Sequence, residues 1–133
     1  MRIDRLFTKK GKAPLDGVAF KSIDIAMKNP DGSTVFALEG AQVPADWSQV
    51  ACDVIAQKYF RKAGIAAKLK KVEEETVPSW LWRSVPDEKA LEKLPKDKRY
   101  GGEESAEQVF QRLAGAWTYW GWKGGYFDTE EDA

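Results

Sequence analysis

The sequence predicts an α+β fold, in which an N-terminal β-hairpin packs on two main amphipathic helices joined by a long irregular connection. Apolar residues alternate on both sides of a proline–glycine turn within residues 18–38, which is typical of two paired strands. Apolar residues recur at helical spacing over about 46–63 and again over about 105–121. Between these helices, residues 65–104 carry no sustained period of either kind.

The hairpin is predicted from its alternation and its turn. Every second residue from 23 to 27 is apolar, as a strand with one buried face requires. In the turn that follows, Pro30 sets φ for the first central position and Gly32 accepts a left-handed conformation. The second strand is expected over residues 34–38. A bulge or the start of the strand is expected near residues 21–22, because the apolar pattern changes phase there.

The first main helix, about 46–63, is predicted from its ends and its apolar stripe. Asp46 is expected to cap it, with Gln49 completing a capping box, and Gly64 suits its C-terminal end. Cys52 lies at the edge of the stripe, where a half-buried, inert thiol is expected. The stripe that we expect to face the core consists of Trp47, Val50, Ala51, Val54 and Ile55.

The second main helix, about 105–121, has the same kinds of signal. Ser105 is expected to cap it, and Gln108 completes a capping box. The glycine-rich segment after residue 120 is expected to end it. Tyr119 and Trp122 fall off the apolar stripe, so they are candidates for contact with another part of the protein. The residues on the stripe, which we expect to be core, are Val109, Phe110, Leu113, Ala116, Trp117 and Trp120.

The end of the chain predicts a docking surface. More than half of the residues from Trp117 to Phe127 are aromatic, and a large exposed apolar patch usually marks a contact site. Residues 128–133 resemble the start of another helix. We therefore expect this chain to be the N-terminal part of a longer protein. The predicted docking surface consists of Trp80, Trp82, Tyr119, Trp122, Tyr126 and Phe127.

The predicted domain organisation is a flexible basic arm at residues 1–17 and a single small α+β domain at residues 18–133. The long connection is interpreted from local composition alone. It comprises an extended basic segment at 65–72, solvated glutamates at 73–75, a short helix at 87–94 and an exposed loop at 96–104.

Composition argues against several classes of function. The chain has 21 basic and 21 acidic residues, so no global field favours nucleic acid as a partner. It has no histidine and one cysteine, so we predict no catalytic, cofactor-binding or metal-binding residues. No apolar run is long enough to span a membrane, and no secretory signal is present. A cytoplasmic location is the resulting expectation.

Three segments resemble the N-terminal region of the class II, adenosylcobalamin-dependent ribonucleotide reductases. Residues 44–64 read PADWSQVACDVIAQKYFRKAG, and residues 77–83 read VPSWLWR. Residues 105–133, which include TYWGWKGGYF, are similar to the next block of that region. The resemblance covers nearly the whole chain, and its segments are long and ungapped.

The resemblance implies a parent enzyme that reduces ribonucleotides to deoxyribonucleotides for DNA synthesis, with adenosylcobalamin as its cofactor. In that family a catalytic barrel follows this region and holds the substrate, the cobalamin and the allosteric nucleotides. The family's thiyl cysteine and redox cysteine pair have no counterpart here, since Cys52 precedes the catalytic motifs. The chain is therefore expected to be an inactive accessory domain without a cofactor of its own, and the barrel of the same polypeptide is its expected partner.

Two alternatives stay open at this stage. The chain could be a stand-alone module that binds nucleotides or single-stranded nucleic acid, because basic and aromatic residues mix at residues 58–62. It could also form a homodimer, because the unpaired edge of a hairpin can pair with a copy of itself.

Overall fold

The computed structural model describes all residues from Met1 to Ala133 and confirms the α+β class. Three α-helices and six strands are present, and no helix is long and apolar enough to cross a membrane. The strands are β1 (Phe20–Lys28), β2 (Thr34–Pro44), β3 (Ile65–Ala66), β4 (Leu69–Lys71), β5 (Ser84–Pro86) and β6 (Tyr100–Gly101). The helices are α1 (Gln49–Lys58), α2 (Glu88–Leu91) and α3 (Ala106–Lys123).

The chain divides into two compact units. The hairpin unit comprises Thr8–Lys62 and Gly102–Phe110, and the aromatic unit comprises Met1–Phe7, Ala63–Gly101 and Gln111–Ala133. Helix α3 contributes its first residues to the hairpin unit and the rest to the aromatic unit. The arm at residues 1–17 and the single domain at 18–133 remain predictions.

In the hairpin unit, β1 and β2 form an antiparallel pair around the predicted turn. Gly32 has φ +84°, and its N–H donates to the Asn29 carbonyl at 2.9 Å, which confirms the turn. The pairing register shifts at Asp24, and the Gly40 N–H donates to its carboxylate at 2.9 Å. Strand β1 begins at Phe20, so the strand start near residues 21–22 is confirmed and no bulge lies there. The bulge is in β2, where residues 39–40 lie opposite Asp24, and a second register shift leaves Val35 without a cross-strand partner. Strand β2 is longer than predicted, since it continues to Pro44.

Helix α1 is shorter than the predicted helix at 46–63. Ser48, not Asp46, is its N-cap, and the Ser48 hydroxyl accepts from the Ala51 N–H at 3.3 Å. The helix ends at Lys58, because Phe60 turns into the core and its N–H donates back to the Ile55 carbonyl at 3.1 Å. Gly64 is thus too far along the chain to serve as the helix cap.

Fewer residues of α1 face the core of the hairpin unit than the sequence predicted. Val50 and Val54 are exposed, although they were expected in the core. Cys52 is fully buried instead of half-buried, and its thiol lies 4.0 Å from the Trp47 carbonyl oxygen. The buried apolar residues of this unit are Ile25, Ala41, Val43, Cys52, Ile55, Ala56, Phe60, Ala106 and Val109.

The aromatic unit gives residues 65–104 more regular structure than the sequence predicted. Strand β3 pairs with β6, and β4 pairs with β5, each in an antiparallel two-stranded ladder. These strands are two or three residues long, which is too short for alternation to be visible in the sequence. The predicted short helix at 87–94 is present as α2, and the Asp87 carboxylate caps it by accepting from the Ala90 N–H at 3.2 Å.

Both ends of helix α3 carry the capping structures that its sequence predicts. The Ser105 hydroxyl accepts from the Glu107 N–H at 3.1 Å, and the Gln108 side chain accepts from the Ser105 N–H at 3.0 Å, so the capping box is confirmed. At the other end, Gly125 has φ +70° and follows the helix in the left-handed conformation. The Tyr126 N–H then donates to the Gly121 carbonyl at 2.9 Å, which completes a Schellman motif.

Candidate functional site

In the C-terminal half of α3, the aromatic residues predicted to be buried are exposed, and those predicted to be exposed are half-buried. Trp117 and Trp120, which were expected in the core, are 63% and 66% exposed. Tyr119 and Trp122, which fall off the apolar stripe, are half-buried and use their polar tips in hydrogen bonds inside the aromatic unit. The expectation that the whole stripe is core is therefore wrong at its C-terminal end.

Glu74 is the centre of a hydrogen-bonded cluster in the aromatic unit. The Tyr119 hydroxyl lies 2.9 and 2.8 Å from its two carboxylate oxygens, and the Arg83 Nε donates to it at 3.0 Å. The Lys123 ammonium lies 3.5 Å away. The Glu74 side chain is only 16% exposed, so the expectation that it is solvated is wrong. The Glu74 carboxylate is therefore paired with one phenol and two cations.

These contacts change the acidity of both partners. The hydrogen bond from Tyr119 is the main cause that lowers the pKa of Glu74, and Arg83 and Lys123 act in the same direction against the opposing effect of burial. The same hydrogen bond is the main cause that raises the pKa of Tyr119. A carboxylate with a lowered pKa is a poor general acid, so the cluster is suited to holding structure and not to proton transfer.

Two indole groups hold the backbone of the same loop. The Trp122 Nε1 donates to the Thr76 carbonyl at 2.7 Å. The Trp82 Nε1 donates to the carbonyls of Glu74 at 3.2 Å and Val77 at 2.9 Å. Buried indole N–H groups need such acceptors, and a loop supplies carbonyls that no strand partner occupies. Trp122 therefore holds this loop against the C-terminal half of α3, and Trp82 holds residues 74 and 77 of the loop together.

The outward-facing rings form what we call the aromatic face: Trp117, Trp120 and Tyr126. Trp117 and Trp120 are three residues apart on α3 and are therefore neighbours on its surface. Tyr126 is 64% exposed, and its ring folds back over Gly124, where an added Cβ would come within 2.9 Å of it. Gly124 also follows Trp120 by one helical turn. The rings thus cover one side of the C-terminal end of α3.

The residues of the predicted docking surface separate into two groups. Trp80 and Tyr126 are exposed, and the Trp80 Nε1 donates to the Glu130 carboxylate at 3.1 Å. Phe127 is half-buried, because its ring packs on Gly121, where a Cβ would lie 2.7 Å from it. Trp82, Tyr119 and Trp122 are also half-buried, as described above. Their docking role remains a prediction.

Sequence reasoning did not include Trp117 and Trp120 in the docking surface. Their place on the apolar stripe concealed them, because a stripe shows which residues share a helix face and not whether that face is covered. No local signal separates them, because Trp117, Trp120 and Trp122 carry the same indole N–H, and only tertiary contacts decide which ring is covered.

The hairpin unit contains an open groove of about 610 Å³ beside β2. The Lys62 ammonium lies 3.7 Å from the centre of the Phe36 ring and donates to the Ala56 carbonyl at the C-terminal end of α1. Partial desolvation lowers the pKa of Lys62. Glu103 also lines the groove and is buried, and its carboxylate accepts from the Arg61 backbone N–H at 2.8 Å and the Arg61 Nε at 3.0 Å. The expectation that residues 96–104 form an exposed loop is thus wrong at Glu103.

The chain shows neither a site for a free metal ion nor an unsatisfied buried polar side chain. No group of three histidine, cysteine, aspartate or glutamate side chains converges to hold a metal ion. No buried side-chain nitrogen or oxygen lacks a hydrogen-bond partner, so no polar group is left waiting for a ligand. The predicted lack of a cofactor in this segment remains a prediction.

The chain is similar to part of several known enzymes. Residues 21–133 match the family described as class II vitamin B12-dependent ribonucleotide reductase. The whole chain is 63% identical to part of the vitamin B12-dependent ribonucleotide reductase of Bradyrhizobium diazoefficiens, and 62% identical to part of that of Agrobacterium fabrum. A Streptomyces coelicolor protein of the same name is 39% identical over 47% of the chain and is covered to 7% of its length.

The chain matches only a small part of the length of these relatives. The chain covers 11% of the Bradyrhizobium protein and 10% of the Agrobacterium protein. The chain belongs to the class II vitamin B12-dependent ribonucleotide reductase family and is its N-terminal domain. This confirms the family resemblance of the sequence.

Proposed function

We propose that this chain is an accessory domain that docks, through the aromatic face, on the remainder of a vitamin B12-dependent ribonucleotide reductase polypeptide. The parent enzyme converts ribonucleotides to deoxyribonucleotides with adenosylcobalamin, and this domain supplies no catalytic residue to that reaction. The single observation that carries the proposal is the exposure of Trp117, Trp120 and Tyr126. The relatives are about nine times longer than the chain, so most of such a polypeptide lies outside it.

The chemistry of the aromatic face favours a protein partner over a polyanion. Each Trp or Tyr ring buries roughly 150–250 Å² when covered, and such rings are common at the centre of protein interfaces. Nucleic acid would need free cations beside the rings to hold its phosphates. Lys123, at the end of the same helix, lies 3.5 Å from the Glu74 carboxylate and is already paired.

The proposal includes a cytoplasmic location for the parent enzyme. Cys52 is a buried free thiol, as is usual for proteins of a reducing compartment.

The test is association between this chain and a truncated form of the Bradyrhizobium relative that lacks the matching region. We expect the pair Trp117→Ser and Trp120→Ser to weaken binding at least about thirtyfold, since one Trp at an interface centre often contributes about 2 kcal/mol or more. Phe7→Ser is the control, because Phe7 is an exposed aromatic of the same unit outside the aromatic face. Binding is measured by calorimetry, and turnover of the truncated reductase is measured with and without the chain.

Two results would contradict the proposal. One is the absence of both association and any effect on turnover. The other is association that the paired Trp substitutions leave as strong as the Phe7→Ser control does.

A further inference from the structure

The groove of the hairpin unit lies beside the outer edge of β2, which is open over residues 34–39. We propose that this groove binds an extended polypeptide segment, which adds to the outer edge of β2 as a third strand. The segment we commit to lies in the remainder of the reductase polypeptide, so the inference rests on the proposed function. It concerns a different surface from the aromatic face.

The backbone of β2 supports this proposal. Strand β2 pairs with β1 in a sheet of two strands, so its outer edge is open for most of its length. At one point that edge is already in use, because the Gln42 N–H donates to the Glu104 carbonyl at 2.9 Å and Gln42 forms a parallel bridge with Ser105. Residues 34–39 have no backbone partner on that edge. Such an edge is a template for strand addition.

The groove beside this open edge has the size and lining that a bound peptide needs. Its volume of about 610 Å³ falls in the usual range of ligand sites. Its apolar lining comes from both strands and from a residue just after α1, so alternate side chains of an added strand would meet apolar surface. The apolar lining residues are Met27, Val35, Phe36, Ala37, Leu38 and Phe60.

The charges around the groove indicate what kind of segment fits. Lys58 is exposed on the rim and makes no hydrogen bond or ion pair. Arg61 and the buried Glu103 are paired, and Lys62 is bound to the Ala56 carbonyl. The unpaired Lys58 ammonium suits an apolar segment that carries an acidic residue at the end beside it. The exposed Glu104 carboxylate, which also lines the groove, disfavours an acidic residue near itself.

A nucleotide fits the same groove less well. Gln57 and Lys58, in the last turn of α1, line the groove, and the negative end of a helix dipole disfavours phosphate. The Phe36 ring is already covered by the Lys62 ammonium at 3.7 Å, so it offers no free face on that side for base stacking.

The experiment uses the full 133-residue chain and synthetic peptides of about eight residues, an ordinary strand length. The peptides are tiled across the part of the Bradyrhizobium relative that the chain does not match. Binding is followed by amide chemical shifts, because a segment that is tethered in the parent enzyme can bind weakly when free. We expect one acidic-ended apolar peptide to bind, with the largest shifts at residues 34–39.

Two further measurements identify the mode of binding. N-methylation of the peptide at successive positions should reduce binding at alternate residues, because only every second N–H of an added strand points to β2. Val35→Asp and Lys58→Glu should each weaken binding by about tenfold or more. Their controls are Val50→Asp on the exposed side of α1 and Lys93→Glu in α2's flank, both outside the groove.

Several outcomes would overturn the inference: no peptide binds, ATP binds in the groove and no peptide does, or the chain dimerises through residues 34–39 with no peptide bound. The proposed function is judged separately. The paired Trp117 and Trp120 substitutions should leave peptide binding intact, and the Val35→Asp chain can still be tested for docking through its aromatic face.

Discussion

Gly102 lies at a place where two backbone segments of the hairpin unit touch. A Cβ at Gly102 would be 2.9 Å from the Lys62 carbonyl oxygen and 3.1 Å from that of Arg61. The next residue locks the contact, because the Glu103 N–H donates to the Arg61 carbonyl at 2.8 Å while the Glu103 carboxylate accepts from the Arg61 N–H. Glycine is needed here for close approach, and this residue helps to form one wall of the groove.

We therefore predict that Gly102→Ala lowers the free energy of unfolding by about 1–3 kcal/mol, since the backbone of residues 61–62 must move away from the new methyl group. Gly101→Ala is the matched control, because a Cβ at Gly101 meets nothing within 4 Å. Its effect should stay within about 0.5 kcal/mol. Urea unfolding of both variants checks the prediction, and equal losses of stability would contradict it.

The loop at residues 74–77 and helix α3 depend on each other. Three aromatic side chains reach this loop with their polar tips, and Glu74 gathers the Tyr119 hydroxyl and two cations. The inner side of the helix is thereby occupied by polar contacts with the loop. This arrangement explains why the large apolar rings of Trp117 and Trp120 stand on the outer side.

The hydrogen bond between Tyr119 and Glu74 predicts a pH dependence of stability. The pKa of Glu74 is lowered in the folded chain from its ordinary value of 4.5, so this carboxylate stabilises the fold above that pH. The contribution is lost as the pH falls through the lower folded-state pKa. Tyr119→Phe removes the main cause of the shift, so we expect it to be less stable than the wild type at neutral pH and to lose less stability on acidification.

Thermal unfolding from neutral pH to about pH 2 measures this difference, because the pH range crosses the titration of carboxylates. Tyr100→Phe is the control for loss of a hydroxyl, since Tyr100 is exposed and its hydroxyl lies 3.4 Å from Glu88. A constant gap between wild type and Tyr119→Phe over the whole range would contradict the prediction. At alkaline pH the raised pKa of Tyr119 has the opposite sign: its contribution is present below 10.0 and is lost above its folded-state pKa.

The elements that the sequence predicted correctly depend on neighbours along the chain. The turn at Gly32 and the capping box of Ser105 and Gln108 involve residues three or four positions apart, and both are confirmed. The start of α1 was misplaced because Asp46 and Ser48 are both good caps, and tertiary contacts decide between them. Tyr119 lies 45 residues from Glu74, and Arg61 lies 42 residues from Glu103, and no local pattern shows such contacts.

The surface of the whole chain favours association through apolar contact. The formal net charge is zero, so long-range attraction to a polyanion is weak. The exposed rings of the aromatic face are concentrated at the end of one helix, whereas a monomeric protein usually scatters its exposed apolar residues. About nine-tenths of the length of the Bradyrhizobium relative lies outside the matched region, and this remainder is the partner that we propose for the aromatic face.

Docking driven by the aromatic face has a thermodynamic signature, which is our final prediction. Binding of this chain to the truncated Bradyrhizobium reductase should show a negative heat-capacity change, because apolar surface leaves water. Its affinity should change little with salt, because no phosphate is neutralised. The paired Trp117→Ser and Trp120→Ser substitutions should make the heat-capacity change smaller in magnitude as well as weaken binding. Calorimetry at several temperatures and two ionic strengths measures both quantities. An affinity that falls steeply with salt, joined to an unchanged heat capacity in the double variant, would indicate a charged contact in place of the aromatic one.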